Sequence, residues 1–368
     1  MQRDSAARFS HDHRPCTGVL LVNLGTPDQP TTAAVRRYLA EFLWDRRIVE
    51  IPRLIWWLIL HGIILRLRPR QSAERYKGVW TEDGSPLLAI GRRQLAALET
   101  RLEQQCPGPV KLALGMRYGN PSIASALREL QAADARRLLV LPLYPQYAAS
   151  TVASTFDKVT EELARWRWLP EWRMITHYHD QPDYIAALAA SIRDAWQEQP
   201  PAEKLLFSFH GVPKRSLLAG DPYHCECHKT ARLVAEALEL PSDRWAVSFQ
   251  SRFGRAEWLQ PYTSELLKDW ARQGISSVDV ICPGFSADCL ETLEEITDEN
   301  RTFYLEAGGK QFRYIPALND RDDHIEALHN LILHHTQGWP ETDQRLSRPN
   351  DAELQATRQR AEALGADQ

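Results

Sequence analysis

The chain has 368 residues, of which 43% are hydrophobic and 25% are charged, and this composition is typical of soluble globular proteins. The formal net charge is −4 and basic residues form no tract, which argues against a general nucleic-acid-binding protein. The length favours about two domains. Six cysteines without a disulfide pattern, after a polar start, lead us to expect a reducing, cytoplasmic compartment.

Apolar runs that end in turn residues alternate with helical patterns along the chain. The predicted strands cover residues 18–24, 110–116, 137–143, 174–178, 204–209, 245–250, 278–282 and 312–315. The predicted helices cover residues 31–43, 91–105, 121–133, 151–167, 184–197, 229–238, 261–273, 288–300 and 324–335. This alternation indicates an α/β fold with parallel sheets and helices on both faces. We therefore predict two doubly wound lobes with a cleft between them.

The predicted elements also suggest where the lobes begin and end. Residues 1–16 are expected to be disordered, and residues 337–368 are expected to form a polar C-terminal tail. Lobe 1 is predicted to comprise residues 17–144 plus 315–336, and lobe 2 to comprise residues 145–314.

The most apolar stretch runs from Ile51 to Leu67 and is interrupted by His61 and Gly62. It is shorter than the about 20 apolar residues that a transmembrane helix needs. Two interpretations are open. The stretch is either a core helix or a helix at the mouth of the cleft, where Trp56 and Trp57 contact a bilayer surface or an apolar ligand.

The apolar run from Leu205 to Phe209 ends at His210, after which Gly211 and Pro213 force a turn. Open α/β sheets hold their ligands at the carboxyl ends of strands, so His210 is a candidate functional residue. A histidine at a strand end is more often structural, and His210 by itself is a weak signal.

A second unusual stretch, Ser286 to Glu299, follows another apolar run and a Pro-Gly break. Glu291, Glu295 and Glu299 are spaced four apart, and Asp288 joins the same helical face. Like charges at this spacing destabilise a helix by about 0.2–0.5 kcal/mol per pair, which favours a functional reason. A π-type turn would align these carboxylates better than an α-helix. The alternative, a capping box of Asp288 and Glu291, leaves Glu295 and Glu299 unexplained.

Taken together, the two stretches say more than either alone. We expect His210 and the carboxylates to face each other across one cleft. An imidazole opposite a row of carboxylates binds a divalent metal through nitrogen and oxygen, or it accepts protons and passes them on.

Long motifs at several places resemble those of the ferrochelatases, the enzymes that insert ferrous iron into a porphyrin. The motifs are LVNLGTP, LPLYPQYAAST, FSFHGVP with GDPY, SFQSRFG and CPGFSADCLETLEEI, in the family's order. The resemblance covers roughly residues 17–335. It implies two Rossmann-like lobes with four-stranded parallel sheets around a porphyrin cleft. It also implies insertion of Fe²⁺ into protoporphyrin IX, the last step of haem biosynthesis.

The resemblance further implies the site residues. The family's catalytic histidine and glutamate fall on His210 and Glu291, which would also contact the metal. The acidic relay falls on Asp288, Glu295 and Glu299. The positions near the porphyrin are Leu24, Arg117, Tyr118, Tyr144, Tyr147, Ser150 and Tyr223. Residues 51–67, with Trp56 and Trp57, resemble the apolar lip at the cleft mouth.

The sequence also departs from the family's pattern. Leu24 stands where some members have Tyr or Met, so an axial metal contact there is lost. Cys289 stands where some members have His, which puts a third protein ligand in doubt. The C-terminal cysteines that hold a [2Fe–2S] cluster in some members are missing, and Cys225 and Cys227 supply at most half a cluster. We therefore expect no cofactor beyond the Fe²⁺ substrate.

Other functions on the same scaffold stay open at this point. One is insertion of iron into coproporphyrin, or of another metal into a related tetrapyrrole. Another is a non-catalytic porphyrin or metal carrier. The apolar lip favours protoporphyrin, and His210 with the acidic row speaks against a carrier. The expected partners are the two substrates and, peripherally, the inner face of the membrane, but no nucleic acid.

Overall fold

The computed structural model describes residues 10–254 and 256–366, which form two four-stranded parallel sheets. The first sheet has the order β2-β1-β3-β4, and its strands are β1 (Cys16–Thr26), β2 (Val110–Gly119), β3 (Ala135–Pro142) and β4 (Glu171–Met174). The second has the order β6-β5-β7-β8, and its strands are β5 (Lys204–His210), β6 (Trp245–Gln250), β7 (Ser277–Ile281) and β8 (Gln311–Ile315). The predicted α/β class with two such sheets is confirmed.

Helices connect the strands and cover both faces of each sheet. The helices before β5 are α1 (Thr32–Trp44), α2 (Arg53–Ile59), α3 (Leu65–Val79), α4 (Pro86–Gln105), α5 (Ile123–Ala132), α6 (Ser154–Leu163) and α7 (Pro182–Glu198). The later helices are α8 (Lys214–Leu218), α9 (Tyr223–Ala237), α10 (Thr263–Arg272), α11 (Arg301–Glu306), α12 (Asp322–His335) and α13 (Asp351–Ala363). Three π-helical segments interrupt them: π1 (Leu60–Ile64), π2 (Ala149–Ala153) and π3 (Glu291–Asn300).

The local sequence explains where several helices begin. The Thr31 side chain accepts the backbone N–H of Ala34 and caps α1. Ser85 caps α4 in the same way, and Pro86 occupies the first turn, where its missing N–H is not needed. The predicted strand over residues 174–178 is displaced, because β4 ends at Met174.

The central strands are buried on both faces, and this explains their continuous apolar sequence. In β1, Val19 and Leu21 face a core that also contains Phe207 and Phe209 of β5. Leu20 and Val22 point to the opposite face and pack in a separate cluster with α5. The two sheets therefore share one core, and the carboxyl ends of β1 and β5 meet at a common cleft.

Several predicted boundaries need correction. Strand β4 hydrogen-bonds to β3, so residues 171–174 belong to the first sheet although lobe 2 was predicted to begin at residue 145. Cys16 is the buried first residue of β1 rather than part of a disordered segment, whereas residues 1–9 lie outside the described residues. The C-terminal segment is not a free polar tail, because Trp339 is 1% exposed and Glu341 is ion-paired with Arg137. Within the described ranges, no helix has the length and apolarity needed to cross a bilayer.

Candidate active site

Two cavities meet at the carboxyl end of β5. The outer cavity has a volume of about 470 Å³ and is lined by polar and charged side chains of β6, α3 and π3. The inner cavity, of about 100 Å³, lies between the lobes and has a largely apolar lining. His210 and Glu291 line both cavities. The two residues predicted to be catalytic therefore stand where an apolar space joins a polar one.

The hydrogen bonding of His210 defines which ring nitrogen can accept a proton. Its Nδ1 atom lies 2.7 Å from the carbonyl oxygen of Gly211. A carbonyl oxygen only accepts, so Nδ1 must carry the hydrogen and donate it. In the neutral ring, Nε2 then keeps its lone pair. The sharp turn at Gly211, where an added Cβ would lie 2.7 Å from the Gln250 carbonyl, sets this geometry.

The acidic stretch forms the predicted π-helix, π3. Side chains support the wider turn: Thr297 Oγ1 donates to the Thr292 carbonyl at 3.0 Å, and Asn300 Nδ2 donates to the Glu295 carbonyl at 2.8 Å. Both contacts bridge five residues, the spacing of π-helical hydrogen bonds. Glu291, Glu295 and Glu299 consequently all line the outer cavity, as the sequence predicted.

We call the lining formed by Glu291, Glu295 and Glu299 the acidic wall, and Glu295 is a partly buried member of it. Its carboxylate accepts the backbone N–H of Ser251 at 2.7 Å and the Ser251 hydroxyl at 2.5 Å. Burial raises the pKa of Glu295, and the hydrogen bonds from Ser251 and the nearby charge of His210 only partly oppose this. Glu295 is thus a carboxylate that takes up a proton more readily than an exposed one.

Two further residues complete the wall, and neither was predicted. Glu294 lines the outer cavity, and burial raises its pKa while the Arg75 charge opposes that rise. Arg75 of α3 lies 3.2 Å from Glu294 and 3.7 Å from Glu299. Glu294 could have been suspected because it is adjacent to Glu295, but no sequence signal connects it to Arg75.

Asp288 does not belong to the acidic wall, and this part of the prediction is wrong. The residue is 6% exposed and lines neither cavity. Its carboxylate accepts hydrogen bonds from Thr292, Tyr314 and Asn319. Asp288 therefore holds π3 against β8 and the loop after it, and the capping box with Glu291 does not form.

The predicted porphyrin positions separate into two groups. Leu24, Tyr144 and Tyr223 line the inner cavity. Arg117 and Tyr118 line neither cavity, because both donate to the carboxylate of Asp45, at 2.5 Å and 2.8 Å.

The remaining two porphyrin positions, Tyr147 and Ser150, also lie outside both cavities. They are partly buried in the segment that leads into and through π2, and the Tyr147 N–H donates to Glu226 of α9. Their neighbours Gln146 and Thr151 line the inner cavity instead.

The apolar lip, residues 51–67, is folded as α2, π1 and the start of α3. Trp56 is 4% exposed and its Nε1 donates to the Leu43 carbonyl at 2.7 Å, so its predicted place on the outer surface is wrong. Trp57 is 49% exposed, as predicted for a lip. The other exposed apolar side chains of the lip are Ile51, Leu54, Ile55, Leu58, Ile63 and Leu67. The stretch is core on one side and exposed on the other.

The fold and the site together define a two-lobed α/β protein in which an acidic cavity joins an apolar one. A solved structure described as SirB from Bacillus subtilis with Fe³⁺ superimposes with a TM-score of 0.53 at 12% identity, covering 89% of this chain and 100% of that chain. At this identity the likeness shows the fold.

Sequence comparison identifies the family. A model of the Ferrochelatase family matches residues 16–336. A protein named Ferrochelatase from Thioalkalivibrio sulfidiphilus is 56% identical over 369 residues and covers 100% of both chains. Another of the same name from Nitrosococcus oceani is 56% identical and covers 98% of each chain. The chain belongs to the ferrochelatase family.

Proposed function

We propose that this enzyme inserts Fe²⁺ into protoporphyrin IX and so forms protohaem, the final step of haem biosynthesis. The observation that carries the proposal is the junction at His210 and Glu291. An apolar cavity suits a porphyrin, an acidic wall suits a divalent cation, and the two spaces share these residues.

The proposed chemistry follows from proton and charge balance. A free-base porphyrin must release its two pyrrole protons when Fe²⁺ binds to the four nitrogens. The Nε2 lone pair of His210 would accept one pyrrole proton at a time, because Nδ1 is already committed to the Gly211 carbonyl. The raised pKa of Glu295 suits it to take that proton onward. The acidic wall would then release it to solvent through the outer cavity, which Glu299 also lines.

Porphyrin entry would require the cleft to open. The inner cavity of about 100 Å³ is smaller than the ~300–1,000 Å³ of typical small-molecule sites. Leu24 on lobe 1 and His210 on lobe 2 lie on opposite walls, so closure around the ring would press it from both sides. Such pressure would bend the macrocycle and expose its nitrogen lone pairs to the metal.

The apolar lip would collect the substrate. Leu54, Ile55, Trp57 and Leu58 are 49–78% exposed on one side of α2, and such a face is typical of interfacial helices. Protoporphyrin is poorly soluble and partitions into membranes. We therefore propose reversible contact of the lip with the inner face of the membrane by an otherwise cytoplasmic enzyme.

One assay tests the proposed reaction directly. The purified protein is incubated anaerobically with Fe²⁺ and either protoporphyrin IX or coproporphyrin, and metalloporphyrin formation is followed by absorbance. We expect a higher kcat/KM for protoporphyrin. A preference for coproporphyrin would identify the alternative substrate, and tight binding of porphyrin without turnover would identify a carrier.

A further inference from the structure

A cluster of metal-binding side chains lies outside the two cavities and has no part in the proposed reaction. His177 and His179 belong to the loop between β4 and α7, and Glu226 belongs to the first turn of α9. One donor atom from each lies within 4.8 Å of the other two. Two imidazoles and one carboxylate are a common ligand set for divalent transition metals.

The distance from each imidazole to the carboxylate is that of two donor atoms on one metal ion. His177 Nδ1 lies 3.2 Å from one oxygen of Glu226, and His179 Nδ1 lies 3.3 Å from the other. Metal–ligand bonds of ~2.0–2.2 Å at tetrahedral angles separate donor atoms by roughly 3.3 Å. One ion can therefore reach an imidazole and the carboxylate at normal bond lengths with little rearrangement.

The protein leaves one of these donor atoms without a hydrogen-bond partner among the described residues. His179 Nδ1 is buried and has no hydrogen-bond partner among the described residues, although a carboxylate oxygen stands beside it. Burial lowers the pKa of His179 to about 4, so the ring is neutral near pH 7, the form that binds metals. Glu226 is 7% exposed, accepts a backbone N–H from Tyr147 and lies 3.2 Å from His177 Nδ1. A bound cation would give His179 Nδ1 a partner and offset the buried charge of Glu226.

We propose that His177, His179 and Glu226 bind one divalent transition-metal ion, such as Zn²⁺ or Co²⁺, at a site separate from the cleft. Imidazole ligands favour these ions over Mg²⁺ and Ca²⁺. Lys229 does not occupy the site, because its ammonium is paired with Asp180 at 2.5 Å.

Metal binding would brace one wall of the inner cavity. Glu226 holds the Tyr147 N–H at 2.6 Å, and the next residue towards the chain start, Gln146, lines the inner cavity. Gln146 also donates to Thr230 of α9, whose hydroxyl donates to the His179 carbonyl at 2.8 Å. An ion at the cluster would therefore tie the loop before α7, α9 and the segment before π2 together.

The test uses metal alone, without porphyrin, and so is independent of the haem assay. The background protein carries His210→Ala and Glu291→Gln, which remove the predicted cleft ligands. Zn²⁺ binding is measured by equilibrium dialysis, and Co²⁺ binding by its visible absorption. We expect about one ion per chain, since one cluster of three such ligands is found among the described residues. Adding His179→Gln or Glu226→Gln is expected to weaken binding at least about tenfold.

A nearby pair of histidines supplies the matched control. His224 and His228 are one turn apart on α9, with ring centroids 4.4 Å apart, and could hold a metal themselves. The His224→Ala/His228→Ala variant should keep the wild-type affinity. The proposal is wrong if the background protein retains no ion, or if this control loses the ion while His179→Gln keeps it.

A substitution of the exposed ligand distinguishes loss of metal binding from misfolding. The His177 side chain is 54% exposed, so His177→Ala should fold normally while losing affinity. A ligand that binds the folded state raises Tm. Zn²⁺ should therefore raise the Tm of the background protein but not that of the His177→Ala variant. An equal rise in both would contradict the site.

Discussion

In each lobe, the first strand in sequence is one of the two central strands of the sheet, and its carboxyl end reaches the cleft. The strand orders, β2-β1-β3-β4 and β6-β5-β7-β8, are equivalent. The side chains at these ends nevertheless differ in chemistry, one being apolar and the other an imidazole. Strand β1 presents Leu24 to the inner cavity, whereas β5 presents His210 to both cavities. One scaffold, used twice, supplies an apolar wall in lobe 1 and a proton-accepting, acidic wall in lobe 2.

The contrast extends to the π-helical segments. In lobe 1, π1 interrupts an amphipathic lip whose outer face is apolar. In lobe 2, π3 gathers carboxylates onto one side, where Arg75 from the lobe 1 helix α3 meets them. The same backbone irregularity therefore occurs beside exposed apolar side chains in one lobe and carboxylates in the other. What such a segment does depends on the side chains in its sequence.

The largest loss of activity should follow substitution of His210, the residue that distinguishes lobe 2 from lobe 1 at the cleft. His210→Ala is expected to lower kcat by about 10²–10⁴-fold, the usual contribution of a general base, with porphyrin binding retained. The matched change on the other wall, Leu24→Ala, removes apolar contact worth roughly 1–2 kcal/mol and should mainly raise KM for porphyrin. Steady-state kinetics on both variants measure the contrast. Retention of more than about a tenth of the activity by His210→Ala would remove it from the mechanism.

Substitutions along the acidic wall should lower the activity to different degrees. Glu291→Gln is expected to abolish most activity, because Glu291 borders both cavities. Glu299→Gln should be milder, since Glu299 lines the outer but not the inner cavity and lies near the far end of π3. Metalloporphyrin formation at saturating Fe²⁺ compares the two. Equal losses would show that proton transfer does not run outward from Glu291.

The lip can be divided by paired substitutions of adjacent tryptophans. Trp56→Ser should destabilise the fold by about 3–5 kcal/mol, because Trp56 fills a buried site beside α1. Trp57→Ser with Leu58→Ser should leave Tm nearly unchanged, but weaken liposome binding and raise KM for protoporphyrin. Thermal melts and vesicle co-sedimentation give the two readouts. A large fall in Tm for the exposed pair would indicate a core helix rather than a lip.

Because a carboxylate is buried in lobe 2, the thermal stability of the protein should depend on pH. Burial raises the pKa of Glu295 above its value of 4.5 in the unfolded chain. Its contribution to stability is therefore fully present below pH 4.5 and is lost as the pH rises through the folded-state pKa. Glu295→Gln stays neutral, so its Tm relative to wild type should increase from pH 4.5 to pH 8. A constant difference across this range would mean that Glu295 is not destabilised in its charged form.

The smallest effect should follow loss of the ion pairs between Arg75 of α3 and the carboxylates of π3. Arg75→Gln frees Glu294 and Glu299 from a partly exposed cation. Such pairs are worth about 0.2–1 kcal/mol, so we expect a lower KM for Fe²⁺ by roughly two- to fivefold. Lys77→Gln, on the same helix but paired with Glu74, is the control and should change nothing. A higher KM for Fe²⁺ in Arg75→Gln would instead assign Arg75 to metal access.

Features that depend on residues close together in the chain could be predicted before the structure was known. Alternating apolar runs and helical patterns predicted the parallel α/β class, because the period of a run reflects its local backbone. The turn after Phe209 placed His210 at a strand end. The four-residue spacing of Glu291, Glu295 and Glu299 favoured a functional role and suited a π-type turn, which aligns such side chains better than an α-helix.

Which of several similar residues faces the site depends on how the elements pack, and the sequence did not reveal it. Trp56 and Trp57 are neighbours of the same type, and the packing of α2 against α1 decided that the first is buried. Asp288 matched the acidic spacing, but Tyr314 and Asn319 bind its carboxylate away from the cavities.

Partners from distant parts of the chain were equally invisible in the sequence. Arg75 meets Glu294 only because α3 crosses π3, and Glu226 meets His177 and His179 only because α9 packs beside the loop before α7. Such contacts depend on how elements pack, and a pattern of neighbouring residues carries no information about a partner so far along the chain.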